Sequence, residues 1–397
     1  MLGRPKGACR GGLVAVRREM ICHKRSSFIS VPATYVTAAN LKTMSSRLHL
    51  SPTAETAGQT LSDTSASDVA AINELRELYQ QMRGEVGKVI IGQDKVIEQL
   101  LICILSRGHG LLMGVPGLAK TLMVHTLADV MSLAFSRIQF TPDLMPSDIT
   151  GTEILQETDT PGRRAFEFVK GPVFANIVLA DEINRTPPKT QSALLEAMQE
   201  HRVTANGKLY TLPQPFFVLA TQNPIEQEGT YSLPEAQLDR FMFLIHVEYP
   251  SVEEERRIAR ETTGAAQAKP HKLISGEKVI AFQDLVRRVP VPDHVYDTCV
   301  DLVRLSRPKA KDAPDWVRRY VTWGAGPRAV QYLIRGAKAH AVLHGRYMVG
   351  MEDVEAVAQP VLSHRILTNF QAQSEGLTSE HIIVRLLEAI RGAAPRG

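Results

Sequence analysis

The segment Leu111-Leu112-Met113-Gly114-Val115-Pro116-Gly117-Leu118-Ala119-Lys120-Thr121 constrains this chain more than any other stretch. An apolar run that reads as a strand enters a glycine turn, and a lysine and a threonine open the helix beyond it. Such a turn holds the phosphates of a nucleoside triphosphate. Backbone N–H groups of the turn formed by Gly114, Val115, Pro116, Gly117, Leu118 and Ala119 (proline itself having none) and of the helix start face the phosphates, Lys120 reaches the outer ones, and Thr121 ligates Mg²⁺. One position departs from the common pattern, which has glycine immediately before the lysine. Ala119 adds only a methyl group there, and the loop is expected to keep it in helical φ/ψ. The competing reading is a glycine turn that joins a strand to a helix and binds nothing.

With 397 residues, two to three domains are expected. Apolar runs such as 241–247 have strand length, so no membrane span is expected. Cys9, Cys22, Cys103 and Cys299 stand far apart, without metal-ligand spacing. They fit a reducing compartment, the cytoplasm, better than a disulfide framework. The formal charge of +4 conceals an asymmetry: residues 1–62 hold nine Lys and Arg against two acids, and the remaining 335 residues carry a net −3. A mildly acidic body gives no reason to expect nucleic acid as a partner. The basic leader has three readings: an organelle transit peptide, a disordered arm, or an extension from a misassigned start with Met20 or Met44 as the true first residue. Its lack of helical or strand period argues for the last two.

Residues 51–68, rich in Ser, Thr, Ala and Gly, read as a linker that closes a 1–68 leader. A helix through Ile72, Leu75, Leu78 and Met82 follows. Strands are then expected at 109–113, 135–140, 177–180, 216–221 and 241–247, alternating with helices in an α/β fold with a largely parallel sheet over 69–249. Two pairs of short strand-like runs read as hairpins. One leads from Ala165–Val169 into Lys170-Gly171-Pro172; the other turns at Asn206-Gly207 between Arg202–Thr204 and Leu209–Leu212. From residue 250 to 397 the period becomes helical, with Ala329, Val330, Leu333, Ile334, Ala337 and Ala341 as the clearest stripe, so a second, all-helical domain is expected.

Four further segments bear on chemistry. Ile177–Ala180 places a strand in the sheet core, with Asp181 and Glu182 emerging at its C-terminal end, where open α/β sheets bind ligands. Asp181 is placed to hold Mg²⁺, and Glu182 to polarise a water against the γ-phosphate. Phe216–Thr221 ends at Asn223, which either orients that water or is a turn residue before Pro224. Arg240, just before the last strand, either faces the γ-phosphate of a neighbouring subunit or pairs with Asp239 or Glu235. Arg328 follows Pro327 at a helix start, aimed back at the phosphates or solvated.

With these motifs in this order, the chain resembles the MoxR family of AAA+ ATPases, in the branch with an insertion in its second helix. The resemblance rests on Gly-x-Pro-Gly-x-Ala-Lys-Thr, Phe140–Ile149, Asp181–Thr186, Leu194–Glu200, Gln222–Gly229 and Leu233–Phe241, and runs from about Glu74 to Leu387. It implies a P-loop αβα domain followed by a helical lid, with Ala119 a family trait. It implies Walker A at Lys120 and Thr121, Walker B at Asp181 and Glu182, and sensor 1 at Asn223. Arg240 becomes the arginine finger, ahead of Arg202 and Arg256, and Arg328 becomes sensor 2. Gly92 and Gln93 fall where the family cups adenine. By resemblance the chain is an ATPase using ATP and Mg²⁺ that assembles as a homo-oligomeric ring of six. It would remodel or mature a client protein, together with a partner bearing a von Willebrand factor A domain, and the two hairpins would engage the client. A magnesium-chelatase-like motor subunit and an ATP-gated scaffold with little turnover are the rival readings.

Overall fold

A computed structural model describes residues 54–157, 164–205, 207–223, 230–264 and 269–393. The leader to residue 53, with Met20 and Met44, the turn residue Asn206 and the stretch 224–229 lie outside the described residues. Residues 58–397 make one compact unit.

The first helix, α1 (Ala54–Val86), turns Ile72, Leu75, Tyr79, Met82 and Val86 inward. Their alternating spacing of three and four places them on one stripe. This helix begins inside the stretch expected as a linker. From residue 54 to 68 the sequence has no proline and one glycine, Gly58. A helix nucleated by the packed residues therefore extends back through it at small cost.

The chain continues through α2 (Asp94–Leu105), β1 (Gly110–Met113), α3 (Lys120–Val130), β2 (Phe135–Gln139) and α4 (Pro146–Thr150). A hairpin of β3 (Gly151–Glu157) and β4 (Arg164–Lys170) precedes β5 (Ile177–Asp181) and α5 (Pro188–Glu200). A second hairpin, β6 (Arg202–Ala205) and β7 (Lys208–Thr211), leads to β8 (Phe217–Gln222), α6 (Glu235–Leu238) and β9 (Phe243–His246). Five of these strands form one sheet, in the order β2–β5–β8–β1–β9, with every pairing parallel.

The strands are apolar on both faces because both faces are covered. Leu112, Leu179, Leu219 and Phe243 enter a core shared with α1, α2 and α3. Leu111, Val178, Ala180, Val218 and Leu244 enter a second core with Leu194, Leu195 and Met198 of α5. Each such Leu or Val contributes roughly 1.5–3 kcal/mol by leaving water, which is what holds strands this short. His109 ties the layers together. Its Nδ1 accepts from Val218 N–H at 3.0 Å, and its Nε2 donates to Met198 O at 3.1 Å. Burial lowers its pKa to about 4, so the ring is neutral.

The remaining elements are α7 (Val252–Thr262), α8 (Gly276–Arg288), α9 (Asp293–Leu305), α10 (Asp315–Tyr320), β10 (Val321–Trp323), α11 (Pro327–Leu343), α12 (Met351–Leu362), β11 (Leu367–Thr368), α13 (Phe370–Ser374) and α14 (Ser379–Ala393). The expectation of an all-helical region needs one correction. β10 and β11 pair as an antiparallel ribbon, because Val321-Thr322-Trp323 favours extended backbone. Ala329, Leu333, Ala337 and Ala341 of α11 are buried as the stripe requires. They belong to the same core cluster as Leu112 and Phe243, so the helical region shares its core with one face of the sheet. No described helix is long and apolar enough to cross a membrane.

Candidate nucleotide site

The strand order decides what meets at the site. β5, β8 and β1 are neighbours, so their C-terminal ends bring together three segments far apart in sequence: residues 181–182, 222–223 and the turn that starts at Gly114. A cavity of about 430 Å³ lies there, lined by Pro116, Gly117, Leu118, Ala119, Lys120, Thr121, Leu122, Asp181, Glu182, Thr221 and Asn223. Of the residues proposed from sequence for the phosphates, Mg²⁺ and the attacking water, all border this one space except Gly114, Val115 and the two arginines, Arg240 and Arg328. Gly114 and Val115 offer their carbonyls to Lys120. Lys120 Nζ donates to Gly114 O, and to Val115 O at 3.2 Å.

Two glycines of the turn have distinct reasons. A Cβ on Gly114 would lie 2.7 Å from Val247 O, so only glycine lets the turn pass β9 this closely. Gly117 has φ +87° and nothing within 4 Å of where its Cβ would be, which leaves a backbone cradle open to the cavity. Ala119 does not keep the helical φ/ψ expected of it. Its φ of 54° and ψ of 24° lie in the left-handed region, as the residue that caps α3. This costs a side-chain-bearing residue about 1–2 kcal/mol. Ala119→Gly removes that strain and gives back part of the gain as unfolded-chain entropy. It is expected to stabilise the protein by about 0.5–1 kcal/mol, read as a higher denaturation midpoint; an unchanged or lower midpoint would refute the strain.

The two acids are held differently. Asp181 Oδ1 accepts from Thr221 Oγ1 at 2.6 Å, and Oδ2 accepts from Arg137 Nη2 at 2.6 Å. Glu182 is also left-handed, at φ 57°. Its N–H donates to Thr221 Oγ1 at 2.9 Å, and its Oε2 accepts from Gln139 Nε2 at 2.7 Å and pairs with Arg185 at 3.2 Å. Thr221 thus spans both acids. Asn223 is buried at the same edge. Burial lowers the pKa of Lys120, while the negative charges of Asp181 and Glu182 oppose that shift. Thr221, Gln139, Arg137 and Arg185 are given no role by the sequence, although Thr221 and Arg185 lie within segments read from it. Gln139 and Arg137 come from β2, whose residues lie opposite those of β5, with Gln139 beside Asp181. Only strand adjacency points to them.

The donor set suits a magnesium–nucleotide complex. An ammonium group, open backbone N–H groups at a helix start, a hydroxyl on Thr121 and a carboxylate on Asp181 converge on one side of the cavity. Gly92 and Gln93 lie apart from that cavity. Gln93 lines a separate one of about 310 Å³ and donates from Nε2 to Glu248 O at 2.9 Å, one residue past the Val247 that packs on Gly114.

The two arginines lie elsewhere. Arg328 does not line the phosphate cavity; its Nη1 donates to Asp239 Oδ2 at 2.8 Å. The Asp239 carboxylate also accepts from Arg365 Nε at 2.8 Å. Arg240 follows Asp239 and is half-buried; its carbonyl accepts from Tyr332 Oη at 3.1 Å, and its guanidinium forms no ion pair among the described residues. The pairing of Arg240 with Asp239 or Glu235, weighed from sequence, does not form.

The ATPase family associated with various cellular activities (AAA) matches residues 109–243, and the AAA lid domain matches residues 315–386. Chaperone MoxR1 of Mycobacterium tuberculosis is 44% identical over 306 residues, which span 77% of this chain and 80% of that protein. Protein MoxR of Paracoccus denitrificans is 30% identical over 342 residues, 82% of this chain and 98% of its own. A crystal structure from Cytophaga hutchinsonii, of a protein assigned as an ATPase, superposes with a TM-score of 0.76 at 44% identity, covering 83% of this chain and 98% of that one. Joined to a parallel sheet with the phosphate turn and two acids at its C-terminal edge, these matches place the chain in the MoxR family of AAA+ ATPases.

Proposed function

We propose that this chain hydrolyses ATP with Mg²⁺ and uses the cycle to remodel or mature a client protein. The observation that carries the reading is the single cavity where Lys120 and Thr121 face Asp181, Glu182 and Asn223. In it, Lys120 and the N–H groups of residues 117–120 would bind the phosphates, and Thr121 and Asp181 would hold the metal. Bound Mg²⁺ supplies positive charge against the β- and γ-phosphate oxygens. Asn223 orients a water, and Glu182 takes its proton as the water oxygen bonds to the γ-phosphorus. The bond from that phosphorus to the bridging oxygen breaks, leaving ADP and phosphate. Gly92 and Gln93 take the adenine side.

Arg240 acts across a subunit boundary in a ring of six, completing the neighbour's site. Arg328 couples the helical region to the phosphates by exchanging Asp239 for them. The stacked hairpins form the client end. Phe168 of β4 lies on Tyr210 of β7, with ring centres 3.9 Å apart, while Leu155 and Phe166 of the same hairpin stay exposed. The partner is a protein with a von Willebrand factor A domain.

The test is Mg²⁺-dependent ATP turnover and nucleotide affinity of the full chain, wild type against Lys120→Ala. Removing a charge-assisted hydrogen bond worth about 1.5–3 kcal/mol should weaken ATP binding roughly 10- to 100-fold, and turnover should fall with it. Unchanged affinity in the variant would sink the phosphate assignment.

A further inference from the structure

Away from the residues that line the phosphate cavity, Glu98 of α2 meets His340 and His344 of the α11 segment. Each of the three offers a ligand atom within 4.8 Å of the others. The histidines are four residues apart on one helical face, with ring centres 4.4 Å apart. The tautomer of His340 follows from its neighbours. Its Nδ1 lies 2.7 Å from Asp353 Oδ1, and Asp353 is fully buried. Arg346 Nη2 also lies 3.2 Å from Nδ1, but the carboxylate is the shorter contact and can only accept, so Nδ1 carries the proton and Nε2 keeps its lone pair. Arg346 also pairs with Asp353, so its charge is neutralised there. Glu98 Oε1 lies 2.7 Å from His344 Nε2. His340 is thus oriented by a carboxylate behind it, an arrangement that recurs around bound metals.

We propose that Glu98, His340 and His344 bind one zinc-class divalent cation that pins α11 to α2. Two imidazoles and one carboxylate suit zinc, cobalt or nickel rather than magnesium or calcium. Ligand atoms about 2.0–2.2 Å from a tetrahedral ion stand about 3.4 Å from one another, so side-chain rotation alone closes the site. The ion replaces the proton shared by His344 and Glu98, and that proton goes to solvent. Water fills the fourth position, since His344 and Glu98 are partly exposed, at 39% and 25% of their side chains. The bound ion ties a helix of the nucleotide-binding core to one of the helical region.

The experiment titrates the nucleotide-free full chain with Co²⁺, reading visible ligand-field bands, and follows thermal unfolding with Zn²⁺ added. The expected result is one equivalent of cobalt with nitrogen and oxygen ligation, and a melting midpoint raised by zinc. His344→Ala and Glu98→Gln, each at a partly exposed position, should weaken cobalt at least tenfold and abolish the zinc-induced rise. A wild-type chain without this binding overturns the proposal. So does unchanged affinity in either variant, or cobalt bands of the thiolate type only, which would place the ion on cysteine.

Discussion

Glu182→Gln is expected to keep ATP bound while turnover falls by about 10²- to 10⁴-fold, the range for loss of a general base. The substitution preserves shape and removes only the ability to take a proton. Gln139, Arg185 and the N–H bond to Thr221 already fix where this side chain stands, so the amide should occupy nearly the same place. Lys120 and Thr121 remain, and affinity should stay within a few-fold of wild type. The contrast with Lys120→Ala is the discriminating feature, since one variant loses chemistry and the other loses binding. Single-turnover hydrolysis and nucleotide titration on the same preparation separate the two. Turnover near wild type in Glu182→Gln would mean that the water is activated by another group.

The second large effect is on stability. Arg365, in the turn between α12 and β11, is almost wholly buried, with 2% of its side chain exposed. Its guanidinium donates to Asp239 Oδ1 at 2.8 Å, Asp239 O at 2.9 Å, Phe241 O at 2.6 Å and Met242 O at 3.2 Å, and also to Val361 O. The arginine thus satisfies much of a strip of backbone on which Arg240 sits, with Phe241 O also facing His364 Nε2 at 3.1 Å. Arg365→Ala leaves several buried acceptors unpaired and opens a cavity. We expect a loss of about 3–5 kcal/mol, measured by denaturant unfolding. Arg328 remains on Asp239, so the loss comes from the carbonyls more than from the carboxylate. Arg365→Lys should recover little, because one ammonium cannot reach five acceptors spread over a plane. A midpoint within 0.5 kcal/mol of wild type, by the same measure, would show that the strip is held by packing alone.

Much of this protein was legible before any coordinates. The five core strands lie within two residues of where their apolar runs put them, because a parallel strand covered on both faces must be apolar throughout. Lys120, Asp181, Glu182 and Asn223 could be named because each follows such a run, and the ends of parallel strands gather at one edge. The β6–β7 pair and the strand β4 followed from short apolar runs, but the partner of β4 is the preceding β3, which the sequence reading did not mark as a strand. The start of α1 was misplaced because Ser and Thr read as loop residues when nothing shows what the next turns pack against. The left-handed Ala119 could not be seen either. An alanine carries no sign of its φ, which the turn around the phosphates imposes.

What the sequence determined by itself was the local chemistry: which strand ends carry which side chains, and where the helical period takes over. Tertiary structure alone decided which of those side chains meet. It set Thr221 between the two acids, brought Gln139 and Arg137 from β2, turned Arg328 onto Asp239, and placed Glu98 against two histidines about 245 positions on. The reason is physical. Spacing along a strand or helix is fixed by bond geometry and can be counted, whereas strand order and helix docking are set by how buried faces fit together across the whole chain.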